Sequence, residues 1–117
     1  MAIEAIDHLY IESRSFKDAV AFWESVGFRL VEEWGEDGHQ AGRLEAGGAV
    51  IVLAESDTPT VDIHFRVNDA ERLNDGLAGD DRVSVVQPLE ATHWGTRWMR
   101  VQDPDGRNFV LEETGKG

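Results

Sequence analysis

The segment Thr92–Glu113, THWGTRWMRVQDPDGRNFVLEE, decides how the rest of the chain reads. Two runs of strand-forming residues, Thr96–Val101 and Asn108–Leu111, flank Asp103-Pro104-Asp105-Gly106. In that tetrapeptide Pro presets a turn angle, Asp hydrogen-bonds the turn and Gly takes the left-handed position, so the segment is predicted as a β-hairpin. Trp94-Gly95 sets an aromatic ring on a loop at the open end, and Glu112-Glu113 finish the second strand. The hairpin is expected to be the closing pair of a sheet whose concave face holds a ligand.

Working outward, the same element order occurs twice. Ile3–Glu12 reads as a strand, Ser15 caps a helix with Asp18 as its capping-box partner, and Phe16, Ala19, Val20, Trp23 and Val26 recur at helical spacing before Gly27. Strands at Phe28–Trp34, His39–Leu44 and Ala49–Ala54 follow, divided by Gly35–Gly38 and Gly47-Gly48. After the polar link Ser56–Thr60 the order restarts, with a strand at Val61–Val67, Asn68 as cap with Glu71, a helix face of Ala70, Leu73 and Leu77, and Gly79 as stop. Strands at Arg82–Gln87, Thr96–Val101 and Arg107–Glu113 complete it. The chain is thus predicted as two βαβββ modules, residues 1–56 and 61–114, in one domain spanning 1–117, with an α+β fold.

Composition narrows the chemistry. The formal charge is −12, from 23 acidic and 11 basic residues spread over both halves. Such a surface repels nucleic acid and anionic membranes and favours a cationic partner, although solubility alone also accounts for it. There is no cysteine, which removes disulfides, thiolate nucleophiles and Cys-based zinc sites. No apolar run approaches the roughly 20 residues that span a bilayer, and the start is neither apolar nor basic, so a cytoplasmic location is expected. No serine sits in a Gly-x-Ser-x-Gly turn, and Gly47-Gly48 is a hairpin turn rather than a phosphate cradle.

The paired βαβββ order, Asp7-His8 in the opening strand, Ala21-Phe22-Trp23-Glu24 followed by Gly27-Phe28, and the Asp103-Pro104-Asp105-Gly106 turn together resemble the vicinal-oxygen-chelate superfamily. That superfamily holds glyoxalase I, extradiol dioxygenases, and fosfomycin- and bleomycin-resistance proteins. The resemblance covers nearly the whole chain. It implies a cupped, eight-stranded mixed sheet with helices outside, a homodimer, and a small-molecule ligand inside the cup.

In metal-dependent members the first and last strands of each module each supply one ligand, and by resemblance those places are His8, Val52, Asp62 and Val110. Divalent ions need about three to four protein ligands, and valine has no lone pair. No metal or other cofactor is therefore expected. The alternative is a shifted divalent-metal site of His8, His64 and Glu112, because residues two apart on a strand share a face. Against it stand plainer roles, His8 and His64 as hydrogen-bonded histidines and Glu112 as a solvated strand-end charge.

Val61–Asp69 and the run from Trp94 to Gly106 make the chain most similar to the bleomycin-resistance branch. Its members bind an aromatic, cationic antibiotic in a dimer groove without modifying it. The resemblance implies a metal-independent binding protein with no catalytic residues, its ligand met by His8, Tyr10, Trp34, His64, Arg66, Trp94 and Glu112. Acidic charge and four tryptophans suit such a ligand through attraction, stacking and cation–π contact. Trp23 belongs to the helix's apolar stripe, while Trp34 and Trp94 stand beside glycines at strand or loop ends; which way Trp98 faces is not legible. The rival is a glyoxalase-like lyase, isomerase or dioxygenase using the shifted metal site. Metal-free acid–base catalysis by His8, Tyr10, Glu12, His64 or Arg66 is also compatible with the residues. A purely structural module would instead fill its cup with large apolar side chains.

Overall fold

The computed structural model describes residues 3–92 and 95–113. Its elements run β1 (Ile3–Ser13), α1 (Phe16–Ser25), β2 (Arg29–Trp34), β3 (Ala41–Ala46), β4 (Ala49–Glu55), β5 (Val61–Val67), α2 (Ala70–Ala78), β6 (Ser84–Ala91), β7 (Arg97–Gln102) and β8 (Asn108–Glu113). The fold is α+β, an eight-stranded mixed sheet with two helices, in strand order β2-β3-β4-β1-β5-β8-β7-β6. The βαβββ order is present twice.

Two compact units divide the chain, one formed by His8–Asp62 and the other by the chain on either side of it. The first unit contains the later part of β1, then α1 and β2 to β4. β1 runs parallel to β4, and β4, β3 and β2 follow as an antiparallel meander. Its core is Phe16, Leu44, Ile51 and Leu53, with Leu9, Ile11, Val20, Trp23 and Leu30 packed around it. Trp23 meets Phe28 edge-on at 5.4 Å, in the helix-side packing that its place on the stripe predicts.

The second unit repeats the plan. β5 is parallel to β8, and β8, β7 and β6 form the meander. Val67, Ala70, Met99 and Leu111 make its core, with Phe65, Leu73, Leu77 and Val101 against them. The opening residues of β1 join this unit rather than the first. Arg66 explains part of the attachment, since it hydrogen-bonds Asp7 at 3.2 Å and pairs with Glu4 at 3.4 Å.

Three local expectations need correction. The cap of α2 is Asp69, not Asn68: Asp69 stands in the left-handed region at φ +47° and accepts the Arg72 amide, while Asn68 turns its side-chain amide to Glu4. Ser15 does cap α1 by accepting the Asp18 amide, but its own amide goes to the Ser13 hydroxyl instead of the Asp18 carboxylate. β6 continues past Gln87 through Pro88 to Ala91. A proline is tolerated there because β6 is an edge strand, and the register with β7 shifts on either side of Gln87.

The predicted hairpin turn is as the sequence requires. Asp103 Oδ1 accepts the amides of Asp105 and Arg107, and Gly106 stands at φ +89°.

Candidate functional site

Strand alternation assigns each module two faces. In the second module Phe65, Val67, Met99, Val101 and Leu111 turn toward α2, so the residues between them turn away. Cross-strand register arranges that outer face in rows. One row holds His64, Val110 and Arg100, and the next holds Arg66, Glu112, Trp98 and Glu90. Around the buried Val110, this sheet face is built from hydrogen-bonding and aromatic side chains.

A chain of hydrogen bonds organises it. His64 and Glu112, 6% and 4% exposed, meet with Nδ1 and Oε1 3.1 Å apart. The second carboxylate oxygen accepts the Thr96 hydroxyl at 2.7 Å. Thr96 is held in turn by Thr92, the two hydroxyl oxygens lying 2.7 Å apart, and its amide donates to the Thr92 hydroxyl. The Thr92 hydroxyl also donates to the Thr96 carbonyl oxygen at 3.2 Å. Trp98 lies beside His64 with ring centroids 6.1 Å apart, and its indole N–H points to Glu90 at 3.4 Å.

Glu112 is therefore a buried partner of His64, not the solvated strand-end charge that its position suggests. Glu113, its neighbour on the opposite face, accepts the Ala70 amide at 2.7 Å and pairs with Arg97 at 3.3 Å.

Among the remaining expected residues, Arg66 is half-exposed and tied to Glu4 and Asp7. Trp94 lies outside the described residues. His8 and Tyr10 belong to the first module, on the face away from α1, because Leu9 and Ile11 between and beside them pack toward that helix. Val52 stands in register with Tyr10. Burial, then the neighbouring carboxylates of Glu12 and Asp62, pushes the Tyr10 hydroxyl above its ordinary value. Trp34 ends β2 and is 46% exposed.

Trp98 and Thr96 were missing from the expected set. Both share the face of Glu112, and the alternation of Met99 and Val101 with them was the signal that could have found them.

The metal places implied by the family do not fit an ion. Two of the four are Val52 and Val110, the latter 1% exposed on β8, and neither offers a donor atom. Among the described residues no group of three or more His, Asp or Glu converges as a metal site.

A doubled βαβββ chain with parallel first and last strands in each module defines a specific class of α+β protein. The chain belongs to the Glyoxalase/Bleomycin resistance protein/Dioxygenase superfamily, whose family model matches residues 5–111. No curated protein matches it in sequence.

Solved structures share the fold at low identity. Methylmalonyl-CoA epimerase from Mycobacterium tuberculosis matches with a TM-score of 0.73 at 18% identity, covering 98% of this chain and 91% of that one. A superfamily member from Vibrio splendidus 12B01 matches at 0.69 and 17%, covering 92% and 97%. The Mn(II)-bound glyoxalase from Novosphingobium aromaticivorans matches at 0.64 and 22%, covering 96% of this chain but 39% of the other. Among the described residues no helix is long and apolar enough to cross a membrane.

Proposed function

We propose that the chain is a metal-independent small-molecule-binding protein, similar in role to the bleomycin-resistance branch, whose ligand is aromatic and cationic. The observation that carries the reading is the second-module face, where the Trp98 ring stands beside the buried His64–Glu112 pair. An aromatic surface with a few fixed polar groups is what a flat organic ligand needs, for stacking and for orientation. Val52 and Val110 at the family's metal places support binding without an ion. The charge of −12 supports a cationic ligand through long-range attraction.

In this reading the two modules form one domain, the protein is a cytoplasmic homodimer, and His8, Tyr10, Trp34, Arg66 and Trp94 join His64 and Glu112 around the ligand. The test has two arms. Elemental analysis of purified protein, before and after incubation with zinc, iron, manganese and nickel salts, is expected to find no stoichiometric ion. An ion retained by the wild type and lost in His8→Ala would replace the reading with the metal-dependent rival built on His8, His64 and Glu112. Tryptophan fluorescence titration with bleomycin and smaller aromatic cations is expected to saturate, and Trp98→Phe to remove most of the response. A flat titration with every aromatic cation would sink it.

A further inference from the structure

We infer that Glu90 on β6 is the residue that reads the ligand's charge, and that the ligand is an arylalkylamine whose ammonium group stands close to its ring. This rests on the binding reading above and names the group and the ligand class behind its cationic preference.

The row of side chains across the second-module face ends at Glu90, in register with Trp98. Glu90 Oε2 accepts the Trp98 indole N–H at 3.4 Å and the Gln87 side-chain amide at 3.3 Å. Both donors are neutral, and among the described residues no cation pairs with this carboxylate. Its negative charge is therefore uncompensated at the rim of the face. The other carboxylate in these rows, Glu112, is 4% exposed and bonded to His64 and Thr96, whereas Glu90 is exposed where a ligand can meet it. Arg66 is tied to Glu4 and Asp7, and Arg100, in the neighbouring row, repels a cation.

An exposed glutamate ordinarily gains little from an ion pair, because fixing a long side chain costs much of what the contact returns. Glu90 differs, since Trp98 and Gln87 already hold it. A cation arriving there meets a preset carboxylate beside an indole, and the two attractions act together. Side chains opposite each other on neighbouring strands start about 5 Å apart, so a ring on Trp98 and an ammonium at Glu90 are joined by about two or three bonds.

The experiment uses the full chain and matched pairs that differ in charge: tryptamine against tryptophol, and phenethylamine against 2-phenylethanol. Calorimetry is run at about 0.15 M salt, where charges beyond about 8 Å are largely screened. The amine of each pair is expected to bind about fivefold more tightly, the upper range for a partly exposed ion pair. Glu90→Gln keeps an oxygen for the Trp98 and Gln87 donors but removes the charge, so the preference should fall below about twofold. Glu71→Gln removes an equal charge from α2, on the opposite face, and should leave the preference at about fivefold. Carboxyl-carbon NMR of the wild type, which needs no variant to fold, should show the Glu90 resonance moving with the amines and not with the alcohols.

An undiminished preference in Glu90→Gln, an equal fall in both variants, or a stationary Glu90 resonance with amine bound would overturn this inference and leave the binding reading standing. Equal affinities within both pairs would overturn it and remove the cationic part of that reading. Failure of all four compounds to bind would count against the aromatic-ligand reading itself, and the inference would go with it.

Discussion

Glu55 and Glu113 occupy equivalent places at the ends of β4 and β8, and each carboxylate reaches back to the first residue of its own module's helix. Glu55 Oε2 accepts the Phe16 amide at 3.0 Å, and Glu113 Oε1 accepts the Ala70 amide at 2.7 Å. The first turn of a helix has unpaired amides and a partial positive charge, so a carboxylate delivered from the last strand satisfies both. In each module this bond joins the last strand to the helix across a long stretch of sequence.

Replacing either glutamate is therefore expected to loosen the helix from the sheet. Glu113→Ala should cost about 1–2 kcal/mol in urea unfolding, the range for a charge-assisted hydrogen bond that is partly exposed. Glu55→Ala should lower stability in the same direction, with faster amide exchange at Phe16 and Gln40, whose amides its two oxygens accept. Unchanged exchange at those amides would show that the strand-to-helix link is not holding them.

Glu55 and two loop aspartates, Asp80 and Asp103, shape how the protein meets acid. Hydrogen bonds from the Phe16 and Gln40 amides hold Glu55 below its ordinary value of 4.5, and hydrogen bonds from Arg82 hold Asp80 at about 2 instead of 3.8. The Arg107 amide heads the groups that lower Asp103. A carboxylate whose folded value is depressed stabilises the fold above its unfolded value and ceases to do so as pH falls through the folded one. For Asp80 that window runs from 3.8 down to about 2. Circular dichroism across this range should show progressive loss of stability, with a shallower slope in Asp80→Asn and Asp103→Asn. An unaltered slope would mean that other carboxylates carry the acid response.

Much of this fold was legible because turn chemistry and alternation act locally. Asp103-Pro104-Asp105-Gly106 specifies its turn without outside help, and the apolar stripe of Phe16, Val20 and Trp23 needs only a sheet to pack on. What stayed illegible depends on groups distant in sequence. Asn68 has an acceptable capping side chain, but Glu4 draws it away and Asp69 takes the cap in a left-handed conformation. Glu112 and Glu113 are adjacent and chemically identical, yet one is buried against His64 and the other accepts the Ala70 amide at the start of α2. Only the sheet register separates them, and a shift of one residue would exchange their faces. For Thr96 and Trp98 the alternation with Met99 and Val101 gives the face, but their partners, Glu112 for the one and His64 for the other, are set by the sheet register.

Gly35 offers a test of the turn between β2 and β3. It stands at φ +88°, and a Cβ added there would lie 2.2 Å from the His39 carbonyl oxygen. Gly106 has nearly the same backbone angle, φ +89°, but open space around it. Gly106→Ala should cost about 1 kcal/mol from the left-handed conformation alone. Gly35→Ala should cost more, about 2 kcal/mol or above, because the turn must also move. Equal losses in urea unfolding would mean that the Gly35 turn relaxes freely.

The His64–Glu112–Thr96 chain should behave as one unit. Breaking a buried pair by deleting one partner leaves the other charged or polar group uncompensated, so Glu112→Ala is expected to destabilise by about 3 kcal/mol. Thr96→Val, which removes one hydroxyl donor to that carboxylate, should cost about 1 kcal/mol. Once Glu112 is gone the threonine hydroxyl has lost its acceptor. In the double variant Thr96→Val should therefore add much less than it does alone, and a double-mutant cycle should return a coupling of about 0.5–1 kcal/mol. The corresponding cycle between His64 and Glu112 should give a larger coupling, since that contact lies between two side chains that are both nearly inaccessible. Strict additivity in both cycles would show that the three groups are neighbours without mutual dependence.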